Sequence, residues 1–295
     1  MTKPVTKPVI KATHSLLFIV NTNRTDAKAA AKELAGLFVK SGFTLYAHSD
    51  VQIDNIEAFS DDLLNEIELA IVLGGDGTML RAAEAVRGYP IPLLGVNLGR
   101  VGFLAEVEKP SMPELAQAIE NGNYIKDDRM VLSYSITRGQ EEIATGWALN
   151  EVTIERNETT MVELFVQIDH RPLSRWGCNG LICSTPTGST AYAFSAGGPV
   201  VWPEVQALVV VPISAHALFS KPMVVSPTSK IVIDVESTSA LLSADSRRKM
   251  FLRQGDRVTM TKDSQTLTLA HLKEILFTDR LVAKFKLPVE GWRGE

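Results

Sequence analysis

Two cysteines in 295 residues leave no material for a disulfide framework. Cys178 and Cys183 have four residues between them, a spacing that matches neither a zinc-ligand pair nor a redox pair with two intervening residues, so both read as buried thiols of a cytoplasmic protein. The five histidines, at 14, 48, 170, 216 and 271, never pair with a glutamate in a two-histidine helix motif, and no tightly held transition metal is expected. The longest apolar stretch, Ala207 to Phe219, is broken by Pro212, Ser214 and His216 and falls short of the roughly 20 residues that span a bilayer. At the N-terminus Lys3, Lys7 and Lys11 precede an apolar patch, Leu16 to Val20, too short for a secretory leader. Basic charge is not in excess either: 30 Lys and Arg against 34 Asp and Glu give −4, the wrong sign for nonspecific nucleic-acid binding. A phosphate-bearing ligand therefore needs a local, structured site. No glycine is followed by lysine, which excludes a P-loop, and no His-Arg-Asp run suggests a protein-kinase catalytic loop.

What is present is ordinary for a globular chain, 45% hydrophobic and 22% charged residues, at a length that predicts two domains. Up to about residue 125 strand and helix patterns alternate. Leu16 to Val20 has strand length; Ala30, Leu34, Leu37 and Phe38 recur at helical spacing within Thr25 to Ser41, and Gly42 ends the pattern. Phe43 to His48 has strand character, Ile56 to Glu68 reads as a helix, and Leu69 to Leu73 is a buried-strand run. Ser111 and Glu114 form a capping box with Pro113 in the first turn of a last helix. The alternation predicts an α/β domain, a parallel sheet with flanking helices, over 1–127. From Met130 to about Leu269 short runs rich in Val, Ile and Thr, separated by turn clusters, predict an all-β, sandwich-like domain over 128–271.

Gly74-Gly75-Asp76-Gly77-Thr78 follows the strand Leu69 to Leu73 and precedes a helix-favouring segment, Met79 to Arg87. A glycine turn between strand and helix exposes backbone N–H groups and the positive end of a helix to an anion. Asp76 at that point can accept a proton from an attacking hydroxyl or help hold a magnesium ion that bridges phosphates, and the two roles are not separable on sequence. A second glycine turn, Asn97, Gly99, Arg100 and Gly102, closes the apolar segment Ile91 to Val96, where ligands of open α/β sheets collect. Arg81 lies one helical turn beyond Gly77, facing either the same cleft or solvent. Asn150-Glu151 interrupts an otherwise apolar stretch with acceptors that suit ribose hydroxyls, or marks an exposed strand end. Thr185, Thr187, Ser189, Thr190, Tyr192 and Ser195 place six hydroxyls in a glycine-bearing loop, which suits a sugar or dinucleotide. Arg247-Arg248-Lys249 reads as a solvated face.

Together these residues resemble those of a bacterial-type NAD kinase. GGDGT at 74–78, NLGRVGFLAE at 97–106, NE at 150–151 and STPTGSTAYAFSAGGP at 184–199 are similar to that family's motifs in order and content, and the likeness runs on to Gly291-Trp292-Arg293-Gly294. GGDGT alone is shared with lipid kinases and phosphofructokinases; its combination with TPTGSTAY is far more specific. The resemblance implies transfer of the γ-phosphoryl of ATP, with polyphosphate an open second donor, to the adenosine ribose 2′-hydroxyl of NAD. It implies Asp76 as proton acceptor, Gly74, Gly75, Gly77 and Thr78 at the phosphates, and magnesium arriving with ATP rather than a metal bound by protein ligands. Asp76, Gly77, Arg81, Asn150, Glu151, Asn179, Thr187, Thr190, Ala191, Tyr192, Ser195 and Asp245 are the implied NAD site, in a cleft between the domains, with 272–295 returning to the first domain. A homodimer or homotetramer without nucleic-acid or membrane partners is implied as well. One departure stands out: Asn179 occupies a position where the family usually carries aspartate. A noncatalytic NAD or NADP sensor, and a kinase with a lipid acceptor, are the competing readings.

Overall fold

The computed structural model describes residues 14–48, 50–99, 102–105, 111–274 and 276–289. Ser15–Val20 forms β1, buried at every position, and the helix Thr25–Lys40, α1, buries Ala27, Ala30, Ala31, Leu34, Ala35 and Phe38 along one stripe. Strands β2 (Thr44–Ala47), β3 (Glu57–Ala58), β4 (Ile67–Leu73) and β5 (Leu93–Val96) join β1 in parallel pairings. Residues on both faces are apolar because helices cover both. Helix α1 and helix α3 (Met112–Glu120) share a core with Leu16, Phe18, Ile71 and Leu94. Helix α2 (Asp76–Ala85) contacts β1, β4 and β5, with Met79 set against Gly95, which points away from Leu94. Removing a buried anchor such as Phe38 costs about 3–5 kcal/mol. The capping box of α3 forms as its sequence predicts, Ser111 Oγ accepting the N–H of Glu114 at 3.4 Å.

The segment Ile56 to Glu68 is not the helix its apolar spacing predicts. Glu57–Ala58 instead adds to the edge of β2, Phe59 N–H donating to the Ala47 carbonyl at 2.8 Å, and only a short 3₁₀ turn, Asp61–Asn65, remains before β4 begins. Edge pairing upstream and β4 downstream leave too few residues for a helix. The sheet is completed by β6 (Ile125–Arg129) and β19 (Leu267–His271), in the order β3-β2-β1-β4-β5-β19-β6.

The second unit, from Asp127 to Leu269, is antiparallel. One six-stranded sheet holds β7 (Leu132–Arg138), β8 (Glu141–Ala148), β10 (Val162–Ile168), β11 (Arg171–Cys178), β15 (Ile231–Val235) and β18 (Asp256–Lys262), ordered β11-β10-β15-β18-β7-β8. The other holds β9 (Glu151–Glu155), β12 (Gly180–Ser184), β13 (Leu208–Ile213), β14 (Met223–Val225), β16 (Ser239–Ala244) and β17 (Arg248–Arg253), ordered β14-β13-β12-β9-β16-β17. A single core containing Leu164 and Ile233 of the first sheet and Val152 and Leu181 of the second makes the pair a sandwich. β12 is apolar on both faces: Leu181 and Cys183 enter that core, while Ile182 packs on the other side with Ala193, Val201 and Val209. Cys178 and Cys183 are free, buried thiols, each pushed up to about 12 by burial.

The C-terminal stretch that the family resemblance returns to the first domain divides. Residues 270–274 belong to the first unit, whereas α5 (Phe277–Phe285) belongs to the second. There Phe285 lies 4.8 Å from Phe194 and Phe277 meets Trp202 edge-on at 5.1 Å. Aromatic contacts of this kind supply the hold that a nine-residue helix lacks on its own. Gly291-Trp292-Arg293-Gly294 lies outside the described residues.

Candidate active site

In the first unit the glycine turn is tighter than its sequence suggests. Gly75 is the residue before the helix and Asp76 is its first residue, so Asp76-Gly77 opens α2 rather than forming a hairpin turn. The N–H groups of Thr78 and Met79 donate back to the Gly75 carbonyl at 2.8 and 3.1 Å. Gly75 and Asp76 are half-buried, Gly77 is exposed, and Gly74 and Thr78 are buried. The Asp76 carboxylate accepts the N–H of Phe103 on Oδ2 at 3.1 Å and that of Leu104 on Oδ1 at 3.2 Å. Gly102 makes this approach possible, because a β-carbon there would lie 2.2 Å from Oδ1. Within the second glycine turn Asn97 Oδ1 accepts the N–H of Gly99 at 2.8 Å; Arg100 lies outside the described residues. The result is a carboxylate of fixed orientation at the carboxyl end of a parallel strand and at the positive end of a helix.

Arg81 is half-buried rather than solvated. Its Nη2 donates to the Val20 carbonyl at the end of β1, and its Nε is buried with no hydrogen-bond partner among the described residues. It lines a cavity of about 680 Å³ with His48, Asp50 and Arg87, all of the first unit.

In the second unit the chain crosses from one sheet to the other at Leu149 and Asn150, between β8 and β9. Asn150-Glu151 is therefore a buried corner, not an exposed strand end: Asn150 is 9% and Glu151 4% exposed. The hydroxyl-rich loop locks onto this corner. Thr185 N–H and Ser184 Oγ donate to the Asn150 carbonyl at 2.9 and 3.1 Å, and Thr185 Oγ1 donates to that of Leu149 at 2.5 Å. Gly188 comes so close that a β-carbon would lie 2.1 Å from the Asn150 oxygen. Three of the six hydroxyls are thereby spent on folding the loop: Thr185 also accepts the Gly188 N–H, Ser189 both donates to and accepts from the Val201 main chain, and Thr190 donates to the Thr187 carbonyl at 3.4 Å. Thr187 is buried, Thr190 and Ala191 are half-buried, and Ser195 is exposed at the end of the short helix α4 (Tyr192–Ser195). Tyr192 donates to Glu155 Oε2 at 3.1 Å; burial, and then Glu155, raise its phenol above the ordinary range. Asn179 is half-buried between β11 and β12, its N–H donating to the Ile213 carbonyl at 2.9 Å.

Asp245 stands in the turn between β16 and β17 at φ 51°, followed by Ser246 at φ 57°. Two consecutive non-glycine residues in the left-handed region cost about 1–2 kcal/mol each. The offset is visible: the buried carboxylate accepts the N–H of Leu149 at 2.9 Å, of Asn150 at 2.7 Å and of Glu151 at 3.4 Å, and pairs with Arg248 at 3.0 Å. Arg248 also donates to the Trp147 carbonyl at 2.7 Å and stacks 4.3 Å above the Trp147 ring. The basic run is thus not a uniform solvated face. Arg247 is exposed in the turn, and strand alternation from there turns Arg248 inward and exposes Lys249.

The pinned aspartate after the GGDGT turn and the buried Asn-Glu corner gripped by the TPTGST loop lie in segments that match known protein families. Residues 16–124 match the ATP-NAD kinase N-terminal domain and residues 149–272 the ATP-NAD kinase C-terminal domain. The chain belongs to the ATP-NAD kinase family. It is 51% identical over 234 residues to the NAD kinase of Thermobifida fusca (strain YX), covering 77% of this chain and 72% of that protein. It is 43% identical to the NAD kinase of Mycobacterium tuberculosis (strain CDC 1551 / Oshkosh), covering 96% of this chain and 99% of that one. Among solved structures, yeast NADH kinase complexed with NADH shares the fold, with TM-score 0.87 at 22% identity over 98% of this chain and 94% of that one. The NAD kinase of Archaeoglobus fulgidus in complex with ATP matches with TM-score 0.68 at 26% identity over 93% and 98%.

For this ATP-NAD kinase family member the sequence left three supports unread. The Phe103 and Leu104 amides act through main chain and carry no side-chain signature. Glu155, which anchors Tyr192, looks like any strand glutamate. Arg248 was within reach of strand alternation. Among the described residues no group of three or more His, Cys, Asp or Glu gathers to hold a metal ion, and no helix is long and apolar enough to cross a membrane.

Proposed function

We propose that this chain is an NAD kinase that moves the γ-phosphoryl of ATP onto the 2′-hydroxyl of the adenosine ribose of NAD, giving NADP and ADP. The observation that carries the reading is the Asp76 carboxylate, pinned by the Phe103 and Leu104 amides at the first residue of α2. In the reaction the ribose oxygen bonds to the γ-phosphorus as the bond to the ADP oxygen breaks, and the hydroxyl proton passes to Asp76. General-base assistance of this kind is worth about 10²–10⁴ in rate, and positioning supplies much of the rest. Gly74, Gly75, Gly77 and Thr78 serve the phosphates through the helix end. Asn150, Glu151, Asn179, Thr187, Thr190, Ala191, Tyr192 and Ser195 serve the dinucleotide, with Arg81 from the first unit.

Two amides occupy two of the roughly four lone-pair positions of Asp76, which leaves a position for the proton, while a single carboxylate is not the donor set of a resident metal. Magnesium enters on the phosphates of ATP, where it neutralises charge on the group being transferred. The enzyme acts as a cytoplasmic homodimer or homotetramer, which light scattering of the purified protein resolves by mass. The reading is tested by incubating the protein with NAD, ATP and magnesium and following NADP with an NADP-specific dehydrogenase. Turnover is expected; NAD binding without product would favour a sensor, and phosphorylated lipid without NADP a lipid kinase.

A further inference from the structure

Asp245 has no acceptor site left for a ligand. A carboxylate offers about four lone-pair positions, and four donors occupy them: the N–H groups of Leu149, Asn150 and Glu151, and Nη2 of Arg248. Its neighbour Glu151 is the opposite case. Glu151 is 4% exposed, and its Oε2 is buried with no hydrogen-bond partner among the described residues. A buried pair of acids resolves by placing a proton on one member, and only Glu151 has an oxygen free to carry it.

The acidic groups facing Glu151 act in the same sense. Asp245 lies across the junction of β9 and β16, where its N–H donates to the Glu151 carbonyl at 3.0 Å, and Glu155 lies four residues further along β9. The positive charge of Arg248 is shared with Asp245 and the Trp147 carbonyl, and Tyr134 on β7 faces that same pair. Tyr192 on α4 opposes them through its main-chain N–H, the one influence that favours the ionised form. Burial first, and then repulsion from Asp245, push the Glu151 carboxyl up to about 8.

We propose that Asp245 is a positioning residue that never touches the dinucleotide. It clamps the Leu149–Glu151 main chain and keeps the proton on Glu151, so that Glu151 enters the site as a neutral acid whose Oε2–H donates to an oxygen of the ligand. The ligand part rests on the NAD reading above. The arrangement has a chemical purpose: a dinucleotide brings two phosphate charges, and a neutral donor meets a ribose or phosphate oxygen without the repulsion that a carboxylate would add.

Two readouts on the full-length protein test this separately. Difference infrared spectra at pH 7 of wild type against Glu151→Gln report a protonated-carboxyl C=O stretch; the band is expected in wild type, absent in the variant, and lost from wild type as pH rises past about 8. Its absence from wild type would overturn the proposal whether or not NAD binds. Titration calorimetry with NAD from pH 6.5 to 9.5 reports the donor role: the wild-type Kd should rise about tenfold per pH unit above 8, whereas Glu151→Gln should show no such limb. Asp245→Asn should weaken binding and move the limb to lower pH, since the charge that holds the proton on Glu151 is gone. A uniform loss with an unmoved limb would reduce Asp245 to a structural residue and overturn its part. If Asp245→Asn does not fold, the infrared band and the Glu151→Gln titration still decide. A wild-type protein that shows the band yet binds no NAD would defeat the functional reading, and the ligand half of this proposal with it, while leaving the proton on Glu151 in place.

Discussion

Gly102 lies so close to Asp76 that a β-carbon at that position would come within 2.2 Å of carboxylate Oδ1. The closeness lets the Phe103 and Leu104 amides reach both carboxylate oxygens. Gly102→Ala must therefore displace the carboxylate by a sizeable fraction of an ångström. Misplacement on that scale costs about 10² in rate, so kcat is expected to fall about a hundredfold with a small change in melting temperature. Steady-state kinetics and thermal unfolding of the one variant check both halves.

The second unit has a close approach of the same kind, where Gly188 abuts the Asn150 carbonyl. Gly188→Ala should pry the hydroxyl loop from the Asn150–Glu151 corner. The expected signature is split the other way: KM for NAD rises about tenfold or more, with kcat less affected.

Asp256 gives a stability test with a defined pH sense. Its carboxylate is fully buried, pairs with Arg138 through Nε at 2.7 Å and Nη2 at 2.9 Å, and accepts the Arg253 N–H at 2.8 Å. The Arg138 hydrogen bonds hold it below the usual carboxylate range. A depressed carboxyl contributes stability above its unfolded value, near 3.9, and that contribution disappears as pH falls through the folded value. Arg138 is 40% exposed and stays solvated when its partner is removed, so Asp256→Ala should cost only about 1–3 kcal/mol at pH 7. Urea unfolding should show the gap between variant and wild type closing in acid, below about pH 4.

Asn179 tests the departure from the family pattern. Aspartate would replace a neutral acceptor with a charged one, which roughly doubles the strength of a hydrogen bond. In Asn179→Asp the KM for NAD is expected to fall about fivefold, the equivalent of about 1 kcal/mol. An unchanged KM would remove the position from the NAD site.

The legible parts of this protein were those in which local pattern and tertiary structure agree. Leu69 to Thr78 announces strand, turn and helix because its apolar run, its glycines and its helix formers coincide, and the antiparallel second unit follows from β-branched runs between turn clusters. Ile56 to Glu68 misled because its helical spacing lost to a non-local edge pairing with β2. Burial of Asn150-Glu151 was hidden because a corner between two sheets has the composition of a turn. Asp76 was legible as a reactive group, but its supports were not: main-chain amides 27 and 28 residues away leave no residue-type signal.

Single-turnover NADP formation by wild type and Asp76→Asn, with NAD and ATP saturating, tests the central claim most directly. The variant is expected to bind NAD within a few-fold of wild type while the phosphoryl-transfer rate falls by about 10²–10⁴. A transfer rate equal to wild type would contradict it, because the pinned carboxylate would then not be the proton acceptor.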